Sequence, residues 1–487
     1  MLGAFICQVS DTDWSVSRVE GVYGNRENKP DSRAPLRPQD RLSVIRDLIS
    51  VRPGDIIFFH VIGKEFGVSG LHGPYTPRSN PYYDNSLTWD NMKETFPFRF
   101  LFKPFPGYES ICDADMSVRV SDLYQAIEAR GIWSLATLEN ERNIEKRAVR
   151  KIAVSDAKTI LNIFLREFKL GSQTAPPIQL MPEPANLVPM RAQIQHAGRY
   201  ENAVKAIMMD KLADRHPSLT TLFGNYVDYM NETFVAPTTR KLIDILVVSK
   251  VNEDGYYYYI VEAKNARFGF GELRQLMSYV DLFRQRPVFR PDRDKVFACA
   301  LAAAFDADTE AFRNLHNTLS PYDPIILIQY KPTNQARDAL FSELPLVTPS
   351  LPQKASISPL PWGTSSPAKD ICTNASTGLP CYANNQYVLR SLAKQPTDNS
   401  FIIEEKSTLT NGMISVYYAF VWDKVFTTSA FHNFLKILYE DVAPLTFYNF
   451  RAINPVIISR GYEPLTLNYV ARYNDLSVRR PISVFQW

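Results

Sequence analysis

The chain has 487 residues, a length that calls for several domains. Hydrophobic residues make up 45% and aromatics 12%, which excludes disorder over most of the chain. Lys and Arg total 54 against 51 Asp and Glu, a net charge of +3, so a nucleic-acid role must rest on clustered charge rather than on the sum.

Residues 1–118 read as β-rich. Phe5 to Val9 is a first strand, and Asp55 to Val61 (DIIFFHV) follows the turn signal Arg52-Pro53-Gly54. Phe98 to Phe105 alternates apolar and basic residues, and residues 73–89 read as an ordered Pro/Tyr-rich loop. Residues 119–170 read as a helical connector, with Ile160, Leu161, Phe164 and Phe168 on one apolar face. Its basic residues Arg142, Lys146, Arg147, Arg150 and Lys151 are either a solvated face or a face for DNA phosphates. Residues 171–193 read as a Pro-rich linker.

A compact α/β unit is expected over 194–335. A helix carries Tyr200, Val204, Ile207, Met208 and Leu212 on one face, with Glu201 beside it. A strand, Lys241 to Val248, is followed by the turn Asn252-Glu253-Asp254-Gly255 and a returning strand, Tyr257 to Lys264. A Gly-rich turn leads into a helix, Glu272 to Phe283, and then into buried strands at Val296–Ala303 and Pro324–Tyr330. Residues 336–370 read as a linker or long loop. Residues 371–487 read as a mixed α+β region of unassigned role, dimerisation and DNA contact being the open alternatives, with a strand from Ile414 to Trp422 and a helix from Ser429 to Tyr439.

The five cysteines, Cys7, Cys112, Cys299, Cys372 and Cys381, include no CxxC pair, which argues against a zinc knuckle and against a disulfide framework. The N-terminal stretch lacks the charge and apolar pattern of a signal peptide, and the longest apolar run, Val296 to Phe305, is too short to span a bilayer. A cytoplasmic protein with no membrane partner is expected.

The chemistry lies in the central unit. Asp244 and Glu262 sit on two strands joined by a short turn and can face one cleft, and Lys264 points to the same side of its strand as Glu262. Two carboxylates supply hard oxygen ligands for Mg²⁺, which lowers the pKa of a bound water and neutralises a phosphate. The order helix, Asp strand, E-x-K strand, helix resembles the PD-(D/E)XK nucleases, and residues 242–283 most resemble the catalytic domain of NucS-type mismatch endonucleases. The resemblance implies catalytic roles for Glu201, Asp244, Glu262, Lys264 and Gln275. It implies Mg²⁺, with Mn²⁺ as a substitute, held by Asp244, Glu262 and the backbone carbonyl of Ala263.

Residues 1–118 resemble the EVE/YTH branch of the PUA-like superfamily in three pieces: Phe5–Asn25, Arg52–Gly70 and Trp89–Phe105. The resemblance implies a PUA-like β-barrel whose aromatic cage holds a flipped modified base, with Tyr23, Asn25 and Trp89 at the pocket positions. For Tyr23 and Trp89 ordinary barrel packing is the competing reading. YTH readers carry Trp where this chain has Tyr23, so the modified base is not named.

The expected architecture is therefore α+β and α/β, multidomain. A PUA-like barrel leads, a PD-(D/E)XK core follows and a mixed α+β region closes the chain. The expected activity is modification-dependent restriction of double-stranded DNA by a Mg²⁺-dependent endonuclease acting as a homodimer. The alternatives are a repair nuclease for lesions or mismatches, and a nucleic-acid-binding protein with a silent nuclease fold.

Overall fold

The computed structural model describes residues 3–28, 34–63, 70–86, 95–129, 131–135, 148–168, 178–184, 187–235, 241–253, 255–320, 323–335, 337–347, 356–358, 387–391, 400–408, 414–438, 451–476 and 481–486. The class is mixed α+β, and packing divides the chain into two compact units. The first is Met1–Arg267 with Gln275–Ala304 and Ile326–Leu344; the second is Phe268–Arg274 with Phe305–Ile325 and Pro345–Trp487.

The N-terminal part of the first unit runs β1 (Ala4–Ser10), α1 (Asp11–Glu20), β2 (Val22–Asn25), α2 (Pro38–Leu48), β3 (Ile56–Ile62), β4 (Gly70–Pro77), β5 (Tyr82–Tyr83) and β6 (Phe98–Pro104). It continues with α3 (Glu109–Asp113), β7 (Ser117–Arg119), α4 (Val120–Glu128), β8 (Val149–Ile152), α5 (Val154–Phe168) and β9 (Val188–Pro189). Among the described residues these strands form one sheet in the order β8-β1-β3-β4-β6-β5-β9, with β2 on β6 and β7 on β4. Local signals start and stop the elements. The Ser10 hydroxyl oxygen accepts from the Asp13 amide at 3.1 Å to begin α1. Gly21 ends α1 at φ +63°, where a Cβ would stand 2.7 Å from the Phe102 carbonyl. Pro38 opens α2 at a position where its missing N–H is no loss.

Three expectations for this region change. The segment 73–89, expected as a loop, contributes β4 residues through Pro77 and the short β5. The connector expected to be helical contains β8, which pairs antiparallel with β1, Ile6 opposite Arg150. Pairing with β1, not local propensity, places Arg150 and Lys151 in a strand. The Pro-rich linker is partly docked: the amides of Gln179 and Met181 donate to the carbonyls of Val19 and Glu20, and β9 pairs with β5.

A short 3-10 turn, Met190–Gln193, leads into the second part of this unit. Its elements are α6 (Glu201–Ala213), α7 (Pro217–Phe223), β10 (Tyr226–Phe234), β11 (Leu242–Lys250), β12 (Tyr256–Ala263), β13 (Arg267–Phe268), α8 (Phe270–Phe283), β14 (Lys295–Ala302) and β15 (Ala304–Phe305). α9 (Ala307–Leu319) belongs to the second unit, and the first resumes with β16 (Ile325–Thr333) and β17 (Asp338–Glu343). The sheet order is β10-β11-β12-β14-β16-β17. β10, β11 and β12 are antiparallel, and β12 pairs parallel with β14. β11 and β14 read as near-continuous apolar runs because both faces of the sheet are covered. Two strands are additions to the expected set: β10, and β17 inside the stretch expected to be linker.

The two parts of this unit share one core. Phe5, Phe59, Tyr75 and Phe102 from the first sheet belong to the same buried cluster as Ile207, Met208, Val247 and Val261 from the second region. α6 is buried from Ala203 to Leu212, including Lys205, Asp210 and Lys211. A helix buried all round places its charged side chains against partners rather than water.

The second unit holds β18 (Ile357–Ser358), β19 (Tyr387–Ser391), β20 (Ser400–Thr408), β21 (Ile414–Phe426), β22 (Arg451–Tyr462) and β23 (Ser483–Gln486). Their order is β18-β23-β22-β21-β20-β19. α10 (Thr428–Ile437) starts where the Thr427 hydroxyl oxygen accepts from the Ala430 amide at 3.2 Å, and α11 (Pro464–Leu476) follows β22. No helix among the described residues is long and apolar enough to cross a membrane.

Candidate active site

The acids and lysines of the central unit meet at one end of β11 and β12. The antiparallel register pairs Ile245 with Val261, which sets Asp244 across from Glu262. The Ala263 amide donates to Asp244 Oδ2 at 2.8 Å and ties the two strands together at that point. Glu201 reaches the cluster from the first turn of α6. Lys264 leaves β12, anchored by its amide donating to the Leu301 carbonyl at 2.8 Å. The Asn265 side chain donates to the Arg199 carbonyl at 2.7 Å, and the Tyr330 hydroxyl donates to the Asn265 carbonyl. These bonds hold the turn after the E-x-K strand.

The electrostatics are those of alternating charges. Lys264 Nζ lies 3.0 Å from Glu262 Oε1, 3.0 Å from the Ala263 carbonyl oxygen and 3.7 Å from Glu201 Oε2. Lys205 Nζ lies 2.7 Å from Glu201 Oε1 and pairs with Asp244 Oδ1. Asp244 and Glu262 are 9% and 6% exposed, whereas the side chains of Glu201 and Lys264 are 29% and 28% exposed, so the cluster opens toward solvent on that side. Burial and the Asp244 charge push the Glu262 carboxyl up to about 7, against the pull of Lys264 and Lys205. Burial pulls the Lys264 ammonium down, but Glu262, Glu201 and Asp244 outweigh it and leave it above its ordinary value. Lys264 is therefore a cation and a hydrogen-bond donor at neutral pH, not a base.

Gln275, on α8, donates from Nε2 to the Tyr279 hydroxyl. The Tyr279 phenol is raised by burial, and further by Glu262 and Asp244, while the Gln275 bond lowers it. Gln275 thus stands behind Tyr279 rather than paired to a carboxylate. Lys205 and Tyr279 are the residues that sequence reasoning missed. Lys205 had a signal: Glu201 and Lys205 are an i,i+4 pair, which reads in sequence as a surface ion pair.

The fit to a divalent cation can be judged from the donor set. Among the described residues no group of three or more His, Cys, Asp or Glu side chains gathers to hold a metal ion. Two buried carboxylates and the Ala263 carbonyl remain, all hard oxygens, and such a set suits Mg²⁺ with water completing the shell. The Glu262 carboxyl is raised mainly by burial and secondarily by the neighbouring Asp244 charge.

The N-terminal pocket residues are placed differently from expectation. Tyr23 is 1% exposed; its hydroxyl donates to the carbonyls of Ala148 at 2.7 Å and Gln8 at 3.2 Å. Its ring packs against Phe59 and Phe100 with centroids 5.7 and 5.2 Å away. Tyr23 is a core residue, and the expectation that it forms an open cage wall is corrected: no face of the ring is free. Asn25 is also buried, beside the Tyr23 phenol. Trp89 lies outside the described residues.

The DNA-backbone expectation is corrected at two positions. Arg150 is buried, donates to the Ser134 carbonyl at 3.0 Å and lies over the Phe234 ring. Lys151 is buried, its Nζ 4.4 and 4.2 Å from the ring centroids of Phe5 and Tyr229. As neighbours on β8 the two point to opposite faces of the sheet, and each is buried there. Arg142, Lys146 and Arg147 lie outside the described residues. A separate cavity of about 550 Å³, lined by Trp133, Lys158, Asp228, Tyr256, Tyr258 and Arg290, shares no residue with the acid cluster.

No family model matches the chain, and no curated protein matches it. Solved structures match over about a third of it. A hypothetical protein from Leishmania major is 12% identical, covers 34% of this chain and 98% of its own, and has a TM-score of 0.24. A protein from Pseudomonas syringae is 14% identical, covers 33% and 99%, and has a TM-score of 0.21. The human THYN1 protein, in complex with DNA containing 5-methylcytosine, is 11% identical, covers 33% and 97%, and has a TM-score of 0.19. Likenesses this low fix neither fold nor activity, and the function must be argued from the chain's own geometry.

Proposed function

We propose that the chain is a Mg²⁺-dependent endodeoxyribonuclease of the PD-(D/E)XK type, directed to DNA with a modified base by its N-terminal module. The observation that carries this reading is the convergence of Glu201, Asp244, Glu262 and Lys264 on one end of β11 and β12. The order α6, β10, β11, β12, α8, β14 supports it, because it brings the Asp strand and the E-x-K strand side by side.

Asp244, Glu262 and the Ala263 carbonyl would hold the cation. When bound, the cation neutralises the phosphate and lowers the pKa of an attacking water. The protein's own part is positional. The Asp244–Ala263 bond fixes the spacing of the two strands. Lys264, held as a cation, donates to the water or to the non-bridging phosphate oxygen on which charge develops. Its 3.0 Å contact with Glu262 sets its direction. Burial of both acids keeps water from screening these charges.

The reader function is proposed from the sequence resemblance of residues 1–118, with Tyr23 building the fold of that module. A homodimer would place two such sites on the two strands of a duplex. The test is digestion of matched plasmids carrying N6-methyladenine, 5-methylcytosine, 5-hydroxymethylcytosine or no modification, in Mg²⁺ or Mn²⁺. Cleavage of one modified plasmid in preference to the bare one is the expected result. Equal cleavage of all four would remove the reader function, and no cleavage of any would remove the nuclease.

A further inference from the structure

Lys205 is 4% exposed and its ammonium is wedged between two acids, Glu201 and Asp244. A buried ammonium requires opposite charge and hydrogen bonds, and these two carboxylates supply both. Lys264 plays the matching part between Glu262 and Glu201. The two ammonium groups thus separate Glu201 from Asp244 and from Glu262. Asp244 has two oxygens, and the Ala263 amide occupies Oδ2. Oδ1 is the oxygen without a backbone donor, and the Lys205 ammonium takes it.

We propose that Lys205 is a positioning residue that competes with the divalent cation for Asp244 Oδ1, so that the site takes up metal only as Lys205 releases that oxygen. The proposal rests on the metal-dependent reading of this site. It assigns Lys205 two consequences of one contact. With no cation, the ammonium keeps Glu201 and Asp244 from repelling each other and holds α6 against β11. On loading, the same ammonium must give up one of its two partners, and the bond to Glu201, an i,i+4 contact within α6, is the one it can keep without moving the helix. Removing the Lys205 charge makes the cluster one unit more negative, whatever the protonation of its acids.

A merely structural lysine would, when removed, loosen Asp244 and weaken metal binding. A competing lysine predicts the opposite sign. Binding of Mn²⁺ to the full chain without DNA, followed by the electron paramagnetic resonance of free Mn²⁺, separates the two. Lys205→Met and Lys205→Gln are expected to bind Mn²⁺ at least about tenfold more tightly than wild type, since one repelling charge at contact distance is gone. Lys205→Arg keeps the charge and is expected to stay within about twofold of wild type. Asp244→Asn should abolish the site in every background. Neutral variants that fold, by an unchanged melting transition, yet bind Mn²⁺ no more tightly would overturn the role of Lys205 while leaving an Asp244-dependent wild-type site intact. Absence of Asp244-dependent Mn²⁺ binding in wild type and both neutral variants would overturn the metal reading itself.

Discussion

Asp228 on β10 accepts a hydrogen bond from the backbone amide of Val154, the first residue of α5, at 2.9 Å. The contact joins a strand of the second sheet to a helix of the N-terminal part. Burial pushes the Asp228 carboxyl up to about 6, against Lys151 and the backbone bonds that favour its charged form. Arg46 on α2 makes a parallel link: it pairs with Glu232 on β10 and with Asp47, and donates to Asn202 on α6 at 2.9 Å. Two stretches that composition separates by a Pro-rich segment thus share one buried core within a single compact unit.

That unit should unfold as one. Arg46→Met removes this cation from beside the buried Asp47 and the half-buried Glu232 and should destabilise by about 3 kcal/mol, because deleting one partner of a largely buried pair leaves the other's charge poorly compensated. The measurement is chemical denaturation read by probes in both parts, one in the N-terminal sheet and one near β11. A single shifted transition is expected; two separate transitions would contradict the shared core.

Asp244→Asn and Lys264→Ala should each lower Mg²⁺-dependent cleavage by at least about a thousandfold, the scale on which a preorganised charge contributes to a transition state. DNA binding in a gel-shift assay should persist. EDTA should stop wild-type cleavage and added Mn²⁺ should restore it. Wild-type rates in both variants would remove the site assignment.

Glu262 gives a pH signature. Its folded carboxyl lies near 7, above the ordinary value of 4.5, so between about pH 4.5 and 7 the folded state binds more protons than the unfolded one. Stability is therefore lost as pH rises through that window. Glu262→Gln should be more stable than wild type by about 2 kcal/mol at pH 8 and about equal to it at pH 5. The comparison is a pair of denaturation curves at the two pH values, without metal. The opposite trend would show that Lys264 and Lys205 outweigh burial at this carboxyl.

Tyr23→Phe removes the hydroxyl that donates to Ala148 and Gln8 but keeps the ring in its aromatic cluster. The Ala148 carbonyl still accepts from the Gln8 amide, so the loss should be about 1 kcal/mol. Any preference for modified DNA should be unchanged. A lost preference with unchanged stability would restore Tyr23 to a binding role.

Much of the central unit could be read from the chain itself. The apolar runs at β11 and β14, the Asn-Glu-Asp-Gly turn and the amphipathic stripe of α8 fix local structure through side-chain period and turn chemistry, which act over a few residues. Asp244 and Glu262 could be placed together because a short hairpin leaves few registers. β10 and β17 escaped that reading, since Tyr226–Phe234 and Asp338–Glu343 carry polar residues at many positions and earn their place by pairing alone.

The sequence by itself determined residue chemistry and short-range order: an acid pair on adjacent strands, a lysine beside it, and a chain with apolar content enough for several cores. Only the tertiary structure decided exposure. Arg150, Lys151 and Tyr23 look like surface or pocket residues in sequence, yet β8 pairing with β1 and packing of the aromatic cluster bury all three. Lys205 looks like half of a solvated helix pair, yet burial of α6 makes it the counter-charge of Asp244. Burial arises from contacts between residues distant in the chain, and those contacts set the charge balance on which the candidate chemistry depends.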